Sequence, residues 1–324
     1  MKKTEPKFIV TGAAGFIGHN LVTALNERGY KDVITVDRLS EINKMNLNGL
    51  SFRDYMDRDD FREQFLSEKL KRVDTVLHLG ACSSSTETNE KYITDNNFLY
   101  TQQLCQWCLN NKVRFIYASS AATYGDGSLR YSDDDALTPR LQPLNLYGRS
   151  KQQFDMWALE NKLFDGIVGL KYFNVYGPHE DHKGDMRSVV NKAYEQILST
   201  GEVKLFKSYR PDYKDGEQDR DFVYVKDAVR VTLFFHDHPE VSGLFNCGTG
   251  KARTWLDLVK AVFSAMNRAP KITFIEMPEA IRDKYQYHTQ AEVSKLRSAG
   301  YSEPFTSLED GARDYVQGYL AKKK

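Results

Sequence analysis

Thr11-Gly12-Ala13-Ala14-Gly15-Phe16-Ile17-Gly18 is the stretch that decides the fold. It follows the short apolar run Phe8-Ile9-Val10. It opens a segment, Phe16 to Arg28, in which Ile17, Leu21, Ala24 and Leu25 recur at helical spacing. Glycines in the pattern G-x-x-G-x-x-G let the backbone turn tightly, let a ligand approach it closely, and let the new helix pack on the strand. The first N–H groups of that helix have no partner inside it and lie at the positive end of its dipole. The turn is therefore suited to a diphosphate. A glycine pattern alone is weak. Here a strand precedes, a helix follows, and an acid, Asp37, ends the next strand (Val33 to Val36), 19 residues past Gly18.

Outward from this turn, strand-like runs at Val73 to Leu79, Val113 to Ala118 and Gly166 to Tyr172 alternate with helical stretches such as Glu90 to Leu109. Such alternation predicts βαβ units with right-handed crossovers, a Rossmann-type doubly wound parallel sheet. After Pro178 the pattern changes. Helices are expected at Met186 to Thr200, Lys226 to Phe235, Trp255 to Met266 and Ser307 to Leu320. A strand is expected at Phe222 to Val225, a strand end at Phe245 to Gly248, and a polar loop at Tyr209 to Asp219. The expectation is an α/β protein. An NAD(P)-binding domain covers 1–173 plus about 222–250, and a smaller, interleaved, mostly C-terminal α/β substrate domain covers 174–221 and 251–324.

Composition narrows the classes. The 324 residues are 41% hydrophobic and 27% charged, and 45 Lys plus Arg against 44 Asp plus Glu leave a net charge of +1. No basic surplus points to nucleic acid. No apolar run reaches the roughly 18 residues of a membrane span. The basic start, Met1 to Lys7, is followed by too short an apolar stretch for a signal peptide. Of Cys82, Cys105, Cys108 and Cys247, the Cys105/Cys108 pair lies mid-helix, where neither a zinc site nor an activated thiol is expected. Few cysteines and no export signal fit a reducing cytoplasm. No metal is expected from His179-Glu180-Asp181-His182, and Asp133-Asp134-Asp135 and the tail Lys322-Lys323-Lys324 read as solvated.

Tyr147-Gly148-Arg149-Ser150-Lys151 carries the chemistry. On a helix its tyrosine and lysine share a face, so the lysine charge would lower the phenol pKa toward a general base. The preceding strand ends in Ser119-Ser120, which brings a hydroxyl to the carboxyl edge of the sheet, where such folds bind ligands. Asp37 suits an adenosine ribose. The cations Arg38, Lys44 and Arg58 close by suit a 2′-phosphate, so NADP is the expected cofactor and NAD the alternative.

The glycine turn, the strand-end serines and Y-x-x-x-K together resemble the extended short-chain dehydrogenase/reductases. His78-Leu79-Gly80-Ala81-Cys82-Ser83-Ser84, Tyr172 to Pro178, His182-Lys183-Gly184, Arg220-Asp221-Phe222-Val223-Tyr224-Val225 and Tyr285-Gln286 resemble, within them, the ADP-glycero-manno-heptose 6-epimerase family. The resemblance implies an isomerase that interconverts ADP-D-glycero- and ADP-L-glycero-D-manno-heptose by transient oxidation at C6, in lipopolysaccharide inner-core synthesis. It implies Tyr147 as acid/base, Lys151 and Ser120 beside it, and Lys183 as a second acid/base for the opposite face. Cofactor positions implied are Gly12, Gly15, Phe16, Ile17, Gly18, Asp37, Arg38, Lys44, Arg58, Leu79, Gly80, Ala81, Cys82, Ser83, Asn96, Lys151, Val175 and Lys183. Substrate positions are Ser120, Asn174, Asp185, Lys192, Phe206, Arg220 and Tyr285. A homo-oligomer is implied as well. The chain departs from the pattern at Leu79 (Glu in the family), Asp185 (Ser), Lys192 (His) and the long 209–219 loop. Another nucleotide-sugar 4-epimerase or reductase is the alternative. Ala121-Ala122-Thr123-Tyr124 argues against a 4,6-dehydratase, which carries Asp-Glu there. A non-catalytic nucleotide sensor is more remote, since Tyr147 and Lys151 are both present.

Overall fold

The computed structural model describes residues 7–70, 72–282 and 285–322. The basic start and the lysine tail fall wholly or partly outside these residues. Among the described residues twelve strands are β1 (Phe8–Thr11), β2 (Val33–Asp37), β3 (Asp54–Asp57), β4 (Thr75–His78), β5 (Arg114–Ser120), β6 (Val168–Tyr172), β7 (Asn174–Tyr176), β8 (Val203–Phe206), β9 (Asp219–Tyr224), β10 (Gly243–Cys247), β11 (Ala252–Thr254) and β12 (Ile272–Ile275). Seven form one sheet in the order β10-β6-β5-β4-β1-β2-β3. The pairings of β1 with β2 and β4, β2 with β3, β4 with β5 and β5 with β6 are all parallel. From β1 the chain runs outward to β3, then returns to lay β4 on the other side of β1. The switch point lies between β1 and β4, and there the crevice for a ligand opens.

Burial explains why these short runs are strands. Every residue of β1 and β4 is buried, as covered parallel strands require. Ile9, Val36, Val76, Phe115 and Tyr117 meet Leu104 and Phe154 from the covering helices. The helix Arg58–Leu66 was not expected from its polar sequence. Phe61 and Phe65, four apart, bury one face of it, and the Asp57 carboxylate accepts from Asp59 N at 2.8 Å to start it.

The chain divides into two compact units. The first comprises 1–125, 133–172 and 229–245; the second comprises 126–132, 173–228 and 246–324. The segment expected at about 222–250 thus enters the first unit only over 229–245, and 126–132 belongs to the second. In the second unit β9 pairs antiparallel with β11 and parallel with β7, and β8 pairs parallel with β12. Helices Val189–Thr200, Trp255–Ala265 and Leu308–Gly318 each begin at a Ser or Thr cap, Ser188, Thr254 and Ser307. Four of these strands, β7, β8, β11 and β12, are three or four residues long and were not legible as runs. Asp133, expected in a solvated loop, is 3% exposed. No helix among the described residues is long and apolar enough to cross a membrane.

Candidate active site

The crevice at the switch point is built by backbone. Gly12 turns with φ +67°, and a Cβ there would lie 2.7 Å from Gly80 N. At Gly18 a Cβ would lie 2.0 Å from Gly12 O, so only glycine lets the first helix start so close to the turn. Leu79 N donates to Thr11 O (3.1 Å) and Gly80 N to Thr11 Oγ1 (3.0 Å), which joins the loop after β4 to the end of β1. The resulting cleft, about 270 Å³, is lined by Thr11, Gly12, Val36, Asp37, Arg38, Arg58, Gly80, Ala81, Cys82, Tyr92, Asn96 and Tyr100. A backbone cradle that a Cβ would fill, under an acid and two arginines, fits a dinucleotide.

Asp37 does more than the sequence pattern indicated. Its Oδ2 accepts from Ala14 N at 3.0 Å, bracing the glycine turn, and its Oδ1 accepts from Arg38 N at 2.8 Å and Asn43 Nδ2 at 3.2 Å. Burial raises its pKa, against those backbone hydrogen bonds and the arginine charges. Arg38 donates to Tyr92 OH and Arg58 to Asn96 Oδ1. Lys44 is exposed and paired with Glu41 at 2.9 Å, and does not line the cleft. Phe16, Ile17, Leu79 and Ser83 also lie outside the lining, and Val175 belongs to the second unit.

Beneath the cleft runs a directed chain of hydrogen bonds. Thr11 Oγ1 accepts from Gly80 N and hydrogen-bonds His78 Nδ1 at 2.7 Å. Thr101 Oγ1 gives its hydrogen to Asn97 O at 2.6 Å, so it accepts from His78 Nε2 at 2.9 Å. Nε2 therefore carries hydrogen, and because burial keeps the ring neutral, Nδ1 accepts from Thr11 Oγ1. Burial, helped by the Lys151 charge, pushes its pKa down to about 3.

Asn97 is a site residue the sequence reading missed. The stretch read as one helix, Glu90 to Leu109, is α-helical over Glu90–Ile93 and Tyr100–Asn110 with a π-helical turn, Thr94–Leu99, between. That turn presents Asn97, whose amide accepts from Cys82 N (2.8 Å) and donates to Cys82 O (2.9 Å) and Ser150 Oγ (2.9 Å). π-Turns of this kind often mark functional sites. The only signal was two asparagines, Asn96 and Asn97, inside an amphipathic stretch.

The expected catalytic group lies at the end of β5 and the start of the helix Leu146–Glu160, which Asn145 caps by accepting from Gly148 N at 2.8 Å. Side chains alternate along β5, so its two serines differ. Ser119 Oγ turns inward to Asp155 Oδ2 (2.7 Å), whereas the Ser120 side chain lies on the Tyr147 side and favours the ionised phenol. One expectation is corrected here. The Lys151 charge does not hold the phenol down; burial raises the Tyr147 pKa, opposed by the Ser120 hydrogen bond. Lys151 is 3% exposed, and burial lowers its own pKa to about 8, opposed by Asp155.

In the second unit Lys183 stands on the turn Asp181–Met186, where Gly184 takes φ +54°. Its Nζ is 3.7 Å from Oε2 of the fully buried Glu180, which also accepts from Ser188 N (2.7 Å) and Ser188 Oγ (2.5 Å). Burial lowers the Lys183 pKa, Glu180 opposes, and Lys192 adds to the lowering. Lys192 Nζ is itself held by Asp185 O at 2.5 Å. Arg220, buried on β9, donates to Asp219 O (2.7 Å) and Gln286 O and lies against the rings of Trp255 (5.6 Å) and Tyr285 (5.3 Å). Tyr285 OH accepts from Trp255 Nε1 at 2.9 Å. Asn174 starts β7 and accepts from Thr289 Oγ1 (3.3 Å), and Phe206, half-buried, ends β8. Cys105 and Cys108 are buried thiols, with Cys105 pushed up to about 12 and Cys108 well above its ordinary value.

The profile of the NAD dependent epimerase/dehydratase family matches residues 8–248. The chain belongs to this family. It falls in the ADP-L-glycero-D-manno-heptose-6-epimerase branch. A relative of that description from Nitratidesulfovibrio vulgaris (strain DP4) is 55% identical over 97% of this chain and 98% of its own. One from Fusobacterium nucleatum subsp. nucleatum is 46% identical over 97% and 98%. Among solved structures, the epimerase resembles Helicobacter pylori ADP-L-glycero-D-manno-heptose-6-epimerase at TM-score 0.80 and 28% identity, covering 98% and 97% of the two chains. It resembles UDP-glucose 4-epimerase from Thermotoga maritima at TM-score 0.79 and 27% identity, over 98% and 100%. The epimerase is thus an isomerase that works with a nicotinamide cofactor.

Proposed function

We propose that this enzyme interconverts ADP-D-glycero-D-manno-heptose and ADP-L-glycero-D-manno-heptose, a step toward the lipopolysaccharide inner core. The observation that carries the chemistry is the buried Tyr147 phenol beside the Ser120 side chain, which favours its ionised form, with Lys151 one helical turn along. The sugar comes from relatives of that name matching nearly the whole chain.

In this reading Ser120 holds the C6 hydroxyl against Tyr147, which takes or returns its proton. The nicotinamide supplies reversible oxidation at C6. Inversion needs a proton carrier on each face of the carbon. Lys183, with its lowered pKa, is the second. Gly12, Asp37, Gly80, Ala81, Cys82 and Asn96 hold the dinucleotide, with Lys151 on the nicotinamide ribose. Arg220 binds the substrate diphosphate, which suits a fork of donors. Tyr285, Asn174, Phe206, Asp185 and Lys192 complete the substrate side.

Arg38 and Arg58 in the cleft favour NADP, and the three donors already on Asp37 blunt its repulsion of a 2′-phosphate. Lys44, paired with Glu41, is left out of this role. The chain works as a homo-oligomer in the cytoplasm. The test is an NMR epimerisation assay on protein as purified, with no added cofactor, and Tyr147→Phe alongside. Conversion by wild type and its loss in the variant support the assignment. No conversion with NADP or NAD added sinks the heptose substrate.

A further inference from the structure

We propose that Asp155 and Lys171, a buried ion pair with no role so far, are positioning residues for the catalytic group. Asp155 keeps Lys151 charged, and the pair together fixes Ser120 against Tyr147. The inference rests on the Tyr147, Lys151 and Ser120 reading above.

The geometry ties two elements to one carboxylate. The helix Leu146–Glu160 carries Tyr147, Lys151 and Asp155 at four-residue intervals, hence on one face. From β5, Tyr117 OH donates to Asp155 Oδ1 and Ser119 Oγ to Asp155 Oδ2, each at 2.7 Å. Lys171 stands opposite Ser119 on the neighbouring strand β6, with Nζ 3.5 Å from Asp155 Oδ2. The same ammonium donates to Thr123 Oγ1 at 2.9 Å and lies 4.6 Å from the centre of the Tyr124 ring. Thr123 Oγ1 in turn donates to Ser120 O at 2.8 Å, and Ser120 Oγ accepts from Ala122 N at 3.1 Å. Every contact of Lys171 therefore ends on the turn that presents Ser120, or on the helix that presents Tyr147.

Stability alone does not call for charges here. Asp155 is 0% and Lys171 1% exposed. Apolar residues of similar volume commonly do as well in such a place as a buried ion pair. What apolar residues cannot supply is a negative charge for Lys151. The ionisable groups about Lys151 are Asp155 and Tyr147 on its own helix and His78 at the end of β4, which is neutral. Cys82 faces Tyr147, and Lys171 meets Asp155 from β6, with Asp133 and Asp135 beyond it. Asp155 is the group that opposes the loss of the Lys151 proton.

The experiment is the pH profile of kcat and KM for the holoenzyme, wild type against Asp155→Asn. If Lys151 must be charged, activity falls as pH rises through its pKa. Removing the Asp155 charge moves that alkaline limb to lower pH by about one unit or more. At neutral pH kcat falls at least about tenfold with KM little changed, since the step weakened is proton transfer. Asp155→Asn leaves an unpaired buried ammonium and could fail to fold. The double variant Asp155→Asn with Lys171→Met removes that charge and should show the same downward shift, smaller because Lys171 no longer repels Lys151. An unmoved limb in whichever variant folds, with activity lost only in proportion to the unfolded fraction seen by circular dichroism, overturns the proposal. Failure of the underlying reading looks different: wild type itself would not turn over ADP-heptose.

Discussion

Tyr147 is a phenol whose burial works against its ionisation, so in the proposed reaction much rests on what shares its proton. Tyr147→Phe keeps the ring and removes the acid. The expected result is a kcat lower by about a thousandfold with binding retained, read by NMR turnover and by calorimetry with ADP. At Lys183 the expectation is asymmetric. Lys183→Met should leave one epimer oxidised but not returned inverted, so that nicotinamide absorbance rises in a single turnover on one epimer and not the other. Equal loss on both epimers would count against two proton carriers. Lys151 gives a pH signature in which activity and stability part. Its ordinary pKa of 10.5 is lowered to about 8 in the fold. Between these values the unfolded chain holds a proton that the folded one has released, so folding stability gained from this group rises with pH while activity falls. Thermal melts of wild type and Lys151→Met across that window isolate the contribution, and parallel curves would refute it. These residue types were legible because Y-x-x-x-K is short-range. Asp155 and Lys171 were not: a carboxylate one turn past Lys151 and a lysine in an apolar strand mean nothing until β5 and β6 are laid side by side.

The glycine turn and the π-helical turn show two kinds of element. Gly18→Ala would place a carbon 2.0 Å from Gly12 O, between backbone groups that cannot rotate away. The first helix would have to shift, costing about 1–3 kcal/mol and the close approach to the diphosphate. The check is the dinucleotide retained per chain on purification, together with the melting temperature; full retention would mean the turn is looser than the structure has it. The turn was readable because strand, glycines and helix follow one another in the chain. The π-helical turn was not. Its extra residue per turn follows from where Asn97 must reach, the backbone of Cys82 and the Ser150 hydroxyl, and both partners come from other segments. The short strands β7, β8, β11 and β12 escaped for the same reason, since runs this brief exist only through their partners.

Over the whole molecule, cofactor choice is the property that most depends on assembly. Arg38→Ala should weaken NADP relative to NAD by about tenfold, one charge-assisted contact being worth roughly 1.5–3 kcal/mol; competition binding with the two dinucleotides reads it, and an unchanged ratio removes Arg38 from that role. By itself the sequence determined the doubly wound class, the turn at Gly12 and the acid at Asp37, and it singled out Ser120, Tyr147 and Lys151 as candidates, because each is a local pattern tied to a local conformation. Only the tertiary structure decided which cations enter the cleft. Arg38 and Arg58 line it and Lys44 turns to Glu41. It alone decided that burial outweighs the Ser120 contribution at Tyr147, and that His78, Asn97, Asp155 and Lys171 pack beside these residues. Charge and desolvation act through space at a few ångströms, and distance along the chain does not tell which groups come that close.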